Sequence, residues 1–311
     1  MYTANFLVWL LFFYLNLEKG QSHDSSPGAI ANVMCKIYTD NAKKNNICPL
    51  SNFNPSISRA VFAESGEFPH MVELGYKIDD NTEWVCSGSI ISKNYVLTAA
   101  HCTLSIQREV NVTQLRVRAG VTDQKDLSNA QIRNIESIKL YSKLEIPVKY
   151  NNIALIKVKE DFIFNKFVGP VCLYTNEENP DGKGLQTGWS PIASFISQPA
   201  QILKFFVNFI SNEICTNTYN RYTLHLPNGI PKESMVCVGG NPNIDYCQVD
   251  AGGPLHTHGK DLKNGTHCMY DIVGIQSFGG SCGTDRVPLV FTRVSHYIQW
   301  IEDNVWPEEN A

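Results

Sequence analysis

Acyl transfer by a side-chain nucleophile needs that nucleophile, a base to take its proton and an acid to hold the base in the right tautomer. Three runs of the 311-residue chain bear on this chemistry. Leu97-Thr98-Ala99-Ala100-His101-Cys102 offers an imidazole base. Cys247-Gln248-Val249-Asp250-Ala251-Gly252-Gly253-Pro254-Leu255 offers a carboxylate beside a Gly-Gly-Pro turn, and Tyr150-Asn151-Asn152-Ile153-Ala154-Leu155 offers amides. Beside Asp250 stands Ala251, and a methyl group cannot attack a carbonyl. No His/Cys spacing suggests zinc, since the cysteines are taken up in disulfides, so neither a metal nor a cofactor is expected.

A chain of this length can bury a sizeable core. With 43% hydrophobic and 18% charged residues it has an ordinary globular composition. Lys+Arg 26 against Asp+Glu 30 leaves a net charge of -4, which offers no polycation to nucleic acid or a membrane surface. Phe6 to Leu15 (FLVWLLFFYL) is an unbroken apolar run, short for a bilayer span and followed at once by Glu18, Lys19 and Gly20. It reads as the core of a signal peptide over residues 1–22, cleaved between Gly20 and His23, and makes the mature chain secreted and extracellular, without a membrane anchor. Ten cysteines in a secreted chain imply disulfides. Asn111-Val112-Thr113 and Asn264-Gly265-Thr266 are glycosylation sequons, at Asn111 and Asn264.

Residues 23–56 are polar, with Cys35 and Cys48 to tie them down, and read as a short pro-segment. From Pro69 the pattern becomes one of short alternating or apolar runs separated by turn residues. Leu115–Ala119, Ile153–Lys159, residues 200–210 and residues 269–278 are strand candidates, which points to an all-β barrel or sandwich. Val294, Tyr297, Ile298, Ile301 and Val305 recur at helical spacing until Pro307, predicting a C-terminal helix. Residues 57–306 form the main domain and 307–311 a tail.

The run ending at His101 and Cys102, with Cys86 sixteen residues before Cys102, resembles the histidine loop of chymotrypsin-like serine proteases. Gly66-Glu67-Phe68-Pro69-His70-Met71, Gly188-Trp189, Cys247–Leu255, Ser277-Phe278-Gly279, Phe291-Thr292-Arg293-Val294 and Tyr297-Ile298-Gln299-Trp300-Ile301 follow in the family's order. The likeness covers about residues 57 to 306 and is closest to the clip-type insect serine proteases, although two cysteines in the pro-segment are too few for a clip domain. It implies two six-stranded antiparallel β-barrels packed face to face, with a C-terminal α-helix. It also implies the pairs Cys86–Cys102, Cys215–Cys237, Cys247–Cys282, Cys48–Cys172 and Cys35–Cys268.

By the same resemblance, His101 matches the catalytic base, Asn152 stands at the acid position and Ala251 at the nucleophile. An amide in place of the acid costs on the order of 10⁴ in turnover, and loss of the nucleophile on the order of 10⁶. Val249 replaces the oxyanion-hole glycine. Asp245 matches the floor of the specificity pocket and Gly279 its wall, but Leu289 stands where trypsin has a glycine and should fill that pocket. Ile57-Ser58-Arg59-Ala60 takes the place of the family's new N-terminus, with Ser56 where an activator needs Arg or Lys, so the chain is expected to stay zymogen-like. Asp250, the family's partner for that N-terminus, then needs another partner or an exposed loop. Asp123 and Asp126 are too few for the family's calcium loop. Ser277 matches a family serine that bonds the acid and points away from substrate.

These departures predict a catalytically inactive protease homologue acting by protein binding, as a cofactor, adaptor or decoy in a proteolytic cascade, immunity or reproductive fluid. Its partners would be other secreted proteins, among them active proteases or their substrates. The alternative is a weakly active or atypical serine hydrolase.

Overall fold

A computed structural model of the chain describes residues 26–48, 60–109, 112–189, 201–239, 250–258, 268–279 and 287–307. Six strands close the first barrel: β2 (Met71–Ile78), β3 (Asn81–Ile90), β4 (Tyr95–Thr98), β5 (Leu115–Ala119), β6 (Gln131–Leu140) and β7 (Ala154–Val158), in the order β2-β3-β4-β7-β6-β5. The second ring runs through β9 (Lys183–Gly188), β10 (Leu203–Phe209), β11 (Met235–Gly239), β14 (Leu289–Arg293), β13 (Tyr270–Phe278) and β12 (Pro254–His258), and the β10–β9 pairing closes it. Both rings are antiparallel throughout. Two short strands add to the second, β1 (Val61–Phe62) on β10 and the parallel β8 (Cys172–Leu173) on β13. The expected pair of six-stranded barrels is therefore present, and each of the four anticipated strand segments carries a strand.

The strand pattern is explained by what each face meets. In β5, Leu115, Val117 and Ala119 bury completely inside the first barrel. Arg118, on the opposite face, is also buried, and is tolerated there because its Nε donates to Glu73 Oε2 of the neighbouring β2 at 2.6 Å. The second barrel is filled by Phe205, Val207, Val236, Val238, Leu255, Val273, Leu289 and Phe291. Between the barrels, His70 and the β12 residue His256 meet Nε2 to Nε2 at 2.7 Å, fully buried. His256 Nδ1 lies 2.9 Å from the Leu185 carbonyl and must donate to it, so its Nε2 accepts from His70. Burial, and then His256, hold the His70 pKa well below its ordinary value.

Four α-helices accompany the barrels among the described residues: α1 (Ala29–Lys44), α2 (Ala100–Glu109), α3 (Asn212–Thr218) and α4 (Ile298–Val305). The last is the anticipated C-terminal helix, with Ile298, Ile301 and Val305 on its buried side. The first was not anticipated: residues 23–56 read as polar overall, yet Ile30, Ala31, Met34, Tyr38 and Ala42 recur at helical spacing, and Ile30, Ala31 and Met34 pack on the core. Its start is held from outside. The carboxylate of Glu302, on α4 and 1% exposed, accepts the backbone N–H of Gly28 at 3.0 Å and of Ala31 at 2.8 Å. A carboxylate there satisfies orphan donors of the first turn and complements the helix dipole, which Lys43 and Lys44 complement at the other end. Gly28 has φ 94°, and a Cβ there would crowd the Thr175 side chain, so glycine is required at this cap.

This helix exchanges two of the expected disulfides. Cys35 is bonded to Cys172 of β8 (Cα–Cα 5.0 Å) and Cys48 to Cys268 just before β13 (Cα–Cα 4.7 Å), so the expected Cys48–Cys172 and Cys35–Cys268 pairs are corrected. The reason is geometric: once Glu302 pins the first turn, Cys35 lies beside β8, and at about 1.5 Å of rise per residue the helix carries Cys48 away from it. Cys86–Cys102 and Cys215–Cys237 are bonded as expected, and Cys247–Cys282 lies outside the described residues.

Two outcomes are expected. Peptide mapping without reduction should recover Cys35 linked to Cys172 and Cys48 to Cys268; the exchanged pairs would refute the docking described here. Glu302→Ala should lower stability by about 2–3 kcal/mol, the scale of losing a carboxylate that accepts two backbone bonds, and should expose α1 to limited proteolysis before the barrels unfold.

Candidate functional site

His101 stands in the first turn of α2, directly after the buried Thr98-Ala99-Ala100 run that leaves β4. Asn152 sits just before β7, which pairs with β4, and this pairing brings the two residues together. Ser277, on β13, and Ala251, on the loop before β12, come from the second barrel, so the site lies at the seam.

The hydrogen bonds fix the amide of Asn152. Its Oδ1 accepts the backbone N–H of His101 at 2.9 Å, which directs Nδ2 toward the imidazole. Nδ2 then lies 2.8 Å from His101 Nδ1 and 2.8 Å from Ser277 Oγ. Oδ1 lies farther from Nδ1, at 3.2 Å, and since an amide N–H donates, the shorter contact makes Nδ1 the acceptor, so neutral His101 carries its proton on Nε2. A carboxylate at position 152 would impose the opposite arrangement, with Nδ1 protonated and Nε2 free to take a proton. Burial lowers the His101 pKa; Asn152 Oδ1, 3.2 Å from Nδ1, can accept from the charged ring and partly offsets this, and Lys149 lowers it further. His101 Nε2 lies 3.9 Å from Cys102 Sγ. Ser277 is 3% exposed and engaged with Asn152, which leaves it no approach to a substrate.

The loop carrying Ala251 is firmly placed. Gly252 has φ +78°, and a Cβ on it would overlap Thr98 Oγ1 and the Ser87 carbonyl, so the chain can pass here with no side chain at all. The Ala251 carbonyl accepts Ser87 N–H at 2.8 Å. Asp250 Oδ2 accepts Ser87 Oγ at 3.0 Å and the backbone N–H of Trp189 at 2.6 Å, so the carboxylate has partners inside the loop cluster. Leu289, fully buried on β14, packs so closely on Gly279 that a Cβ there would overlap its Cδ2. A small cleft of about 170 Å³ remains beside His101, walled by Leu104, Ile146, Pro147 and Lys149. Asp123 and Asp126 accept the backbone N–H groups of Lys125 and Ser128, closing turns.

Asp245, Val249, Ser56, Ile57, Asn111 and Asn264 lie outside the described residues. Sequence reasoning missed Ser87, whose hydroxyl supports Asp250, and Glu302, which holds α1. Both act across long sequence separations, and no local motif marks either.

Known proteins place this geometry in context. The trypsin family profile matches residues 57–301. Serine protease snk of Drosophila melanogaster is 32% identical over 256 residues, covering 80% of this chain and 56% of that protein. Phenoloxidase-activating factor 3 of Holotrichia diomphalia is 33% identical over 259 residues, covering 77% of this chain and 70% of the relative. Chymotrypsin-C of Bos taurus is 31% identical, covering 83% and 93%. The match thus spans little more than half of the first of these relatives. Paired six-stranded barrels, a histidine loop closed by Cys86–Cys102 and this match over most of the chain lead to one assignment: the protein belongs to the trypsin family of chymotrypsin-like serine proteases.

Proposed function

We propose that this chain is a secreted serine protease homologue that does not catalyse peptide cleavage and acts by binding other extracellular proteins, as a cofactor, adaptor or decoy. The observation that carries the reading is the pair Ala251 and Asn152. One offers no nucleophile, and the other holds His101 in the tautomer whose outer nitrogen already bears a proton. Leu289, buried against Gly279, supports it independently, because it adds a bulky side chain where the family's specificity pocket is lined by glycine. Asp250, already supported by Ser87 and Trp189, favours a loop that does not depend on a newly cut N-terminus. The intact barrels favour a binding scaffold.

Relatives named for a cascade role, such as the phenoloxidase-activating factors, support an extracellular proteolytic cascade as the setting. Because relatives are named as proteases, a weakly active or atypical serine hydrolase is the competing reading. It requires a nucleophile other than Ala251, and Ser277, buried and committed to Asn152, is a poor one. Purified protein exposed to a fluorophosphonate probe separates the two: no labelling is expected, and stoichiometric labelling would establish a hydrolase. Co-purification from native fluid under mild conditions would then identify the partner.

Ala251→Ser alone should give no measurable amidase activity, since Asn152 and Leu289 remain; turnover from that single change would refute the reading. NMR of ¹⁵N-histidine should find neutral His101 protonated at Nε2, with a pKa below that of a free histidine. Asn152→Asp should raise that pKa and move the proton to Nδ1; an unchanged tautomer would show that the amide does not set it.

A further inference from the structure

Helix α1 does more than cover β8. Between it and the first barrel lies an open cavity of about 520 Å³, within the size range of small-molecule sites. Its walls are apolar, with Ile37 and Tyr38 from α1, Phe164 from the loop after β7 and Trp306 from the end of α4. Tyr38 and Phe164 meet edge to face at 6.4 Å. Besides Asn41, Asn45, Ser92 and Asp161, the polar groups at its rim offer donors. Asn165 Oδ1 already accepts the N–H groups of Phe167 and Val168, and Asn94 Oδ1 accepts Ser92 Oγ, so what these two lining side chains have to offer a ligand is chiefly their NH₂ donors. The Trp306 indole N–H is buried without a well-formed hydrogen bond; it reaches toward the Tyr38 hydroxyl, whose pKa burial pushes up to about 12. Lys93 adds a cation, and Asp161 is the single acid among the described lining residues, exposed at the rim.

We propose that this cavity is a binding site for a free amphipathic carboxylate of the medium-chain fatty acid class, its alkyl chain among Ile37, Tyr38, Phe164 and Trp306 and its carboxylate at Lys93. Apolar walls favour the chain in proportion to the area they cover. A rim rich in N–H donors with one cation favours an anionic acceptor over a cation or a neutral head. Because α1 supplies one wall and the barrel the other, the ligand would strengthen the hold of α1 on the domain. The site lies outside the seam that carries His101, so it stands whether or not the proposed loss of catalysis is correct.

Calorimetric titration of the lipid-stripped, disulfide-intact chain with sodium dodecanoate, below its micelle-forming concentration, tests this. Saturable 1:1 binding is expected, with dodecanol bound at least about tenfold more weakly and Lys93→Gln weakening dodecanoate about tenfold, the scale of one charge-assisted hydrogen bond. Asn41→Trp, at an exposed position of α1 on the cavity rim, should fill the space and abolish binding while the melting temperature holds. Phe164→Ala should weaken binding from the opposite wall and serves if the tryptophan variant misfolds. Absence of saturable binding, equal affinity for dodecanol, or affinity that survives both wall variants would each overturn the proposal.

Discussion

The amide of Asn152 ties the two barrels together. It belongs to the first barrel, yet it bonds Ser277 of β13, and its own carbonyl accepts Thr292 Oγ1 of β14 at 3.0 Å. It also takes the backbone N–H of His101, fixing the start of α2. These groups are nearly all buried, so an apolar residue at 152 would strand several donors and acceptors, each worth about 1–3 kcal/mol. The position therefore has a structural duty separate from any chemistry. A carboxylate and an amide can both fulfil it, whereas only a carboxylate selects the tautomer that proton transfer requires.

The same separation runs through the rest of the seam. Gly252 must be glycine for steric reasons, and Asp250 is held by Ser87 and Trp189, so the Gly-Gly-Pro loop keeps its shape whatever side chain stands at 251. Leu289 contributes to the core of the second barrel while it closes on Gly279. The proposed loss of substrate-meeting positions, beside the fold-bearing contacts seen among the described residues, fits a scaffold valued for its surface. This is the physical content of the proposed binding role.

The N-terminal segment enlarges that surface. Two disulfides and the Glu302 carboxylate hold α1 against β8 and α4, so the segment is part of the folded body. Charge-assisted bonds and covalent links add to the packing of Ile30, Ala31 and Met34 on the core.

Residue types and short spacings sufficed for an all-β reading and the C-terminal helix, while the paired barrels, the Cys86–Cys102 loop and the candidate positions His101, Asn152 and Ala251 were legible through motifs that resemble a known family. Each depends on local alternation or on motifs a few residues long, where side-chain identity and backbone geometry are coupled directly. Helix α1 escaped because its narrow apolar stripe lies in a segment that is polar overall, and with it went the true partners of Cys35 and Cys48, since disulfide connectivity depends on where distant segments come to rest. Ser87 beneath Asp250, Glu302 beneath α1 and the orientation of the Asn152 amide were likewise decided by the tertiary structure. Each is a contact between residues dozens to hundreds of positions apart, whose partners become neighbours only when the barrels close and the helices dock.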